Sequence, residues 1–106
     1  MSTWPLTRGQ VIRADIGLDE PKLFVVVSNN PRNRHLPQVL AVRLTTSSKP
    51  RIPSIVPLTH LEVFNGYAVC DDIVEIYEDE VVTVVGALTP QGMLALDNGL
   101  RAALSL

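Results

Sequence analysis

Apolar residues in this chain recur at every second position through one short segment after another, and take up helical spacing only beyond Pro90. A period of two broken by Gly, Pro and Asn fits half-buried strands joined by turns, with no βαβ alternation from which to build a parallel sheet. Gln10 to Ile16 sets Ile12, Ala14 and Ile16 on one side and Val11, Arg13 and Asp15 on the other. Gly17 to Pro21 reads as a turn, and Leu23 to Val27 is a β-branched and aromatic run suited to a central strand. Asn29-Asn30-Pro31 ends it, Pro31 to Pro37 reads as a polar loop, and Gln38 to Thr45 as a strand carrying Val39, Ala41, Arg43 and Thr45 on one face. Thr46 to Pro53 reads as a flexible basic loop, Ser54 to Leu58 as a short strand and Asn65-Gly66 as a tight turn. Tyr67 to Tyr77 and Val81 to Leu88 follow as strands around the acidic Glu78 to Glu80. Thr89-Pro90 supplies an N-cap and a first helical residue, and Met93, Leu96, Leu100, Ala103 and Leu104 then repeat at helical spacing over about 90–104. Gly92 and Gly99 each weaken that helix by about 1 kcal/mol against Ala, so it must rely on packing. The expectation is one domain over residues 1–106, mainly β with a C-terminal helix: about five strands in a small, strongly bent antiparallel sheet or barrel.

Composition narrows the function classes. With 106 residues, 46% hydrophobic, and a formal charge of -2, the chain is a folded domain rather than a disordered one. Cys70 stands alone, so no intrachain disulfide forms, and no CxxC, HxxxH or His/Cys cluster has zinc-site spacing; no metal or other cofactor is expected. No apolar run approaches the ~20 residues of a membrane span, and Met1 to Leu6 lacks signal-peptide character, so a soluble cytoplasmic protein is expected.

The near-zero net charge hides a segregation. No acid lies between Glu20 and Glu62, where Lys22, Arg32, Arg34, Arg43, Lys49 and Arg51 all fall, whereas Glu62 to Asp97 holds eight acids and no base. A fold that gathers the first set on one face attracts a polyanion; sheet pairing that interleaves distant strands cancels the effect.

Phosphate-cradling GxGxxG and Walker loops are absent, as is a GxSxG elbow. Cys70, mid-strand with no His nearby, reads as a small buried residue rather than a nucleophile. Asp71 and Asp72 are adjacent on a strand and point to opposite faces, which argues against a two-metal nuclease. What remains is polar groups at strand ends beside basic loops: Lys22, Asn29, Asn33-Arg34-His35, Arg43 and Thr45. Metal-free RNA cleavage needs deprotonation of a 2′-hydroxyl, a cation on the phosphate and a proton for the leaving 5′-oxygen, and such residues supply these. By residue type alone they point only to a basic RNA-binding surface.

Taken in order, Arg8-Gly9-Gln10-Val11, Val25-Val26-Val27-Ser28-Asn29-Asn30, Asn33-Arg34, Val39 to Thr46, Asp71-Asp72-Ile73 and Val85-Gly86-Ala87-Leu88-Thr89-Pro90 make a pattern. From about Arg8 to Leu106 it resembles the MazF/PemK family of toxin endoribonucleases. The resemblance implies an SH3-like (CcdB/PemK-like) barrel with a C-terminal helix, a homodimer, a cognate antitoxin blocking the RNA groove, and metal-independent cleavage of single-stranded RNA at short sequences to 2′,3′-cyclic phosphate and 5′-hydroxyl ends. The family's key pair is an Arg before Pro at the start of the second strand and a Thr ending the third. Thr45 matches the second position, while Lys22-Leu23 stands where Arg-Pro is expected, keeping the charge but losing the bidentate fork. Catalysis then runs through Lys22, or through Arg13 or Arg34 reaching the site. Asp72 replaces the usual Gln, a change expected in base recognition. The resemblance thus implies Lys22 and Thr45 as catalytic residues, with Asn29, Asn33, Arg34, Arg43, Thr46, Ser47, Arg51 and Asp72 on the RNA.

Three side readings accompany this. His35 is either a solvated loop residue or a proton-transfer group, His60 is structural, and Trp4 either stacks on a base or caps an apolar edge of the barrel. Two other functions compete: a CcdB-like gyrase poison acting by protein contact, and an inactive RNA- or partner-binding relative. Lys22-Leu23-Phe24-Val25 resembles the start of the gyrase poisons' second strand, but those toxins resemble one another at a C-terminal Trp-Gly-Ile and this chain ends Leu104-Ser105-Leu106.

Overall fold

In the computed structural model, which describes residues 3–106, the alternating segments form six strands: β1 (Gln10–Ala14), β2 (Lys22–Val26), β3 (Gln38–Thr45), β4 (Ile55–Leu58), β5 (Gly66–Tyr77) and β6 (Val81–Ala87). They pair antiparallel in one sheet with the order β4-β5-β3-β2-β1-β6. All six segments that read as strands, the short Ser54 to Leu58 included, form strands, one more than the total of about five; Ile55–Leu58 pairs with β5 along its whole length. Although β5 and β6 stand second and last in that order, a single 3-10 turn, Glu78–Glu80, connects them. So short a link forces the sheet to curl until the end of β5 meets the start of β6. β4 and β6 remain as edges, so the sheet is barrel-like without closing.

Alternation along the strands builds two cores, one on each face. Val11, Val25, Val42, Leu44, Ala68 and Cys70 face one way and are covered by Leu96 of the C-terminal helix. Ile12, Ala14, Phe24, Val26, Val39, Ala41 and Ile76 face the other way and enclose Leu6, with Trp4 packed against them. Trp4 therefore serves the apolar core, the structural role among its two readings.

One expected loop is a helix. Asn30–His35 forms α1, capped by the Asn29 side chain, which accepts from the Arg32 N–H at 2.9 Å, with Pro31 in its first turn. Six residues are too few for a helical period to show, and the Asn-Pro signal that ends a strand also starts a helix. The second helix, α2 (Pro90–Leu104), begins on Thr89, whose hydroxyl accepts from the Gly92 N–H at 3.1 Å. Glu62 clamps the same corner, accepting from the Thr89 N–H at 2.8 Å and from its hydroxyl at 2.5 Å. Gly99 shows how packing offsets the poor propensity of α2, because a Cβ there would collide with Val56 Cγ2 and Cys70 Sγ. No helix among the described residues is long and apolar enough to cross a membrane.

Candidate functional site

The β2–β3 register pairs Phe24 with Arg43, Val25 with Val42 and Val26 with Ala41. Continued two residues along both strands, it sets Lys22 across from Thr45, each the terminal residue of its strand. Lys22 also opposes Ala14 of β1, Thr45 opposes Tyr67 of β5, and Tyr67 opposes Pro57 of β4. Ala14, Lys22, Thr45, Tyr67 and Pro57 thus form one row across the sheet. Directly opposed side chains leave a sheet on the same face with Cβ atoms about 5 Å apart. The next row holds Ile12, Phe24, Arg43, Val69 and Ile55, so the core that contains Phe24 ends in a polar strip bearing Lys22, Arg43 and Thr45.

Each member of the strip is held in a usable state. The Thr45 hydroxyl oxygen accepts from the Ser47 N–H at 3.1 Å, which leaves its hydrogen free to donate outward. Lys22 Nζ lies 3.3 Å from Glu20 Oε1, and with the Glu20 side chain 73% exposed this pair is weak enough to exchange for a phosphate. Arg43 is half-buried, and its Nε is enclosed without a hydrogen-bond partner. Thr46, Ser47, Lys49 and Arg51 follow β3 as exposed loop residues.

Beside Arg43 the β3–β5 register jumps from Val42–Ile73 to Arg43–Val69, leaving Cys70, Asp71 and Asp72 in a bulge. The simple alternation expected of Asp71 and Asp72 therefore does not apply. Asp71 is exposed and accepts from the Ser54 hydroxyl at 2.7 Å, while Asp72 is half-buried next to Arg43 in sequence register. Among the described residues no three His, Cys, Asp or Glu side chains are grouped to hold a metal ion.

The remaining expected residues do not join this strip. Asn29, Asn33, Arg34 and His35 lie on or beside α1, beyond the opposite end of β2, roughly 20 Å from Lys22 along an extended chain. Asn29 spends its side-chain oxygen on the α1 cap. Asn33 is fully buried and is removed from any ligand surface: it accepts from the Ser28 hydroxyl at 2.5 Å and donates to the Ser28 carbonyl at 2.9 Å. His35 Nδ1 sits 2.7 Å from the Pro31 carbonyl oxygen, away from the Lys22–Thr45 pair. Arg13 opposes Leu23 and Thr83, one step out of phase with Lys22, and so faces the other side of the sheet. His60 is exposed in the loop after β4. Replacing Asn33 by Ala removes the acceptor of the Ser28 hydroxyl hydrogen and the donor to the Ser28 carbonyl, and the expected loss of stability is about 2 kcal/mol. Urea titration checks it; the folded protein should keep its activity, because Asn33 is remote from the strip.

The segregation of charge is only half kept in space. Lys22, Arg43, Lys49 and Arg51 collect near one end of β2 and β3, Arg32 and Arg34 near the other. The acidic Glu78–Glu80 turn comes back beside β1, where the Glu80 carbonyl accepts from the Asp15 N–H at 2.8 Å.

Cys70 is fully buried, and burial, with a smaller contribution from the Asp71 carboxylate, pushes its thiol up to about 11. A thiol so held stays protonated at neutral pH and is a poor nucleophile. Because the folded value lies above the unfolded one, its contribution to stability is intact below pH 9 and is lost as pH rises toward about 11. Alkaline urea titrations should show a shallower decline for Cys70→Ala than for the unmodified chain.

The sequence did not show Tyr67 and Gly66 as neighbours of Thr45, because that depends on which strand lies across from it. Gly66 has φ +150°, and a Cβ there would strike the Thr45 carbonyl oxygen and come within 2.8 Å of Phe64 Cε2. Only a turn signal at Asn65-Gly66 was available in the sequence.

The arrangement has known counterparts. Residues 7–104 match the family described as the PemK-like, MazF-like toxin of type II toxin-antitoxin systems. The chain is 40% identical over 99 residues to Endoribonuclease MazF4 of Mycobacterium tuberculosis, covering 93% of this chain and 92% of that protein, and equally to Endoribonuclease MazF1 of Mycobacterium bovis. Among solved structures it is similar to a mycobacterial endoribonuclease in complex with its cognate antitoxin, at 40% identity and a TM-score of 0.89 over 95% of this chain and 96% of that one. Deinococcus radiodurans MazF, 13% identical with a TM-score of 0.80 over 95% and 97% of the two chains, shares the fold.

Proposed function

From the premise that this chain belongs to the PemK-like, MazF-like toxin family of type II toxin-antitoxin systems, we propose that it cleaves single-stranded RNA without a metal ion, at the strip formed by Lys22, Arg43 and Thr45. Endoribonuclease is the activity of its relatives at 40% identity, and it is the activity of this toxin. The single observation that carries the assignment of the site is the β2–β3 register, which pairs Phe24 with Arg43 and, extended two residues along both strands, brings Lys22 toward Thr45 on the same face.

In the reaction the RNA 2′-oxygen displaces the 5′-oxygen at phosphorus. One P–O bond replaces another, the proton lost at the 2′-hydroxyl is matched by one gained at the 5′-oxygen, and the ends are a 2′,3′-cyclic phosphate and a 5′-hydroxyl. Negative charge grows on the non-bridging oxygens, so the catalytic need is for donors already aimed at that position. The Lys22 ammonium meets this charge after leaving Glu20, and the Thr45 hydroxyl donates the hydrogen that its bond from Ser47 leaves free. Arg43 contributes the planar fork that Lys22 lacks. Thr46, Ser47 and Arg51 hold the adjoining backbone, and Asp72 faces a base. Arg34 and Asn29 lie too far from the pair for the cleavage step and serve at most a distal part of the strand.

The partners are single-stranded RNA, a cognate antitoxin and a second copy of the chain, and the compartment is the cytoplasm. The antitoxin assignment follows the relative whose structure contains one. A digest of a long RNA in EDTA tests the reading. Cleavage by the pure protein that Thr45→Ala abolishes supports it, and an intact RNA, or equal cleavage by the variant, overturns it.

A further inference from the structure

We propose that Tyr67 is the platform on which a nucleobase next to the scissile phosphate stacks, and that the pocket around the free edge of β4 is the subsite receiving that base. This deepens the ribonuclease reading and rests on it.

Four observations converge on Tyr67. It opposes Thr45 directly, so the two side chains leave the sheet on one face with Cβ atoms about 5 Å apart. A phosphate held at Thr45 therefore brings an attached base within reach of the ring. Secondly, the other aromatic residues are committed elsewhere: Trp4 and Phe24 to one core, Phe64 to the other, and Tyr77 to the far end of β3. Tyr67 is half-buried, fixed at its backbone by two strands yet open on one side.

Thirdly, Tyr67 lines an open pocket of about 730 Å³ with Ile55 and Pro57 of β4, whose outer edge has no strand partner, and with Ala95, Asn98 and Gly99 of α2. That volume lies in the ~300–1,000 Å³ range of small-molecule sites. Finally, Lys49 and Arg51 are among the residues that line the same pocket. An apolar and aromatic lining that also carries two cations suits a planar base together with its flanking phosphates. A stacking site tolerates any base while favouring those that stack best, so it grades cleavage by the neighbouring base.

The experiment compares the unmodified protein with Tyr67→Leu, Tyr67→Phe and Tyr67→Trp on a long RNA in EDTA, mapping every cut end, with melting temperatures measured alongside. Tyr67→Leu is expected to lower kcat/KM by about 10-fold and to broaden base preference at one position beside the cut. Tyr67→Phe should keep both, and Tyr67→Trp should keep the rate while shifting the preferred base. Binding of an uncleavable 2′-deoxy oligonucleotide should weaken about 10-fold in the Leu variant alone. Unchanged cut sites and kcat/KM in Tyr67→Leu would overturn the inference while the ribonuclease reading stands. Should Tyr67→Leu melt early, unaltered base preference in Tyr67→Trp overturns it instead. An unmodified protein that cuts nothing defeats the ribonuclease reading itself.

Discussion

Thr45→Ala and Lys22→Ala each lower RNA cleavage by at least ~100-fold, the scale of losing one donor to the transition state, with little change in melting temperature. Both side chains are partly solvent-exposed at strand ends, and neither belongs to the apolar cores, so their removal leaves the fold intact. The loss falls on kcat more than on KM, because the charge they meet develops only as the 2′-oxygen attacks. Lys22→Arg should retain activity, since it keeps the cation and adds the fork. Single-turnover cleavage of a defined oligonucleotide checks all three, and an unaltered rate in either Ala variant removes that residue from the site. The Glu20 partner gives a further control. Its pair with Lys22 is exposed and worth little, so Glu20→Gln should leave stability unchanged.

Gly66→Ala is expected to damage stability and activity together. The added methyl must take φ +150° and meets the Thr45 carbonyl oxygen and the Phe64 ring, so the start of β5 must move away from the end of β3. Strain of this kind costs about 2 kcal/mol, and the displaced group is Thr45, the residue proposed to act in cleavage. Urea titration and the same cleavage assay measure the two effects. Gly17 provides the comparison: it has φ +93° but no atom within 4 Å of the place a methyl would take, so Gly17→Ala should show the conformational cost alone, about 1 kcal/mol. Equal stability losses in the two variants would mean that contact with Thr45 adds nothing.

Particular residues show how far the sequence could be read. The strand character of β1 and β3 follows from alternation and β-branched residues, a local signal that the sequence displays directly, although both strands prove buried on both faces, and the Thr89-Pro90 start of α2 is equally local. The six-residue α1 was hidden because its capping Asn and its Pro read as well for a loop. Asn33 illustrates a deeper limit. Its residue type suggests a polar ligand contact, but its burial and its pairing with Ser28 arise only when α1 folds back on the end of β2. The bulge that carries Asp71 and Asp72 was likewise invisible, since a register shift belongs to a pair of strands and not to either one.

What the sequence by itself determined is therefore the set of pieces: a mainly β chain, a terminal helix that needs packing, and a stretch rich in bases from Lys22 to Arg51 that includes Thr45. Order of hydrophobic period and turn residues suffices for that, because each acts over a few neighbours. The tertiary structure decided which of the polar residues meet. Strand pairing is a long-range property, and it set Thr45 of β3 opposite Tyr67 of β5, with Lys22 at the adjoining end of β2, while sending Asn29 and Arg34 to the other end of the same strands.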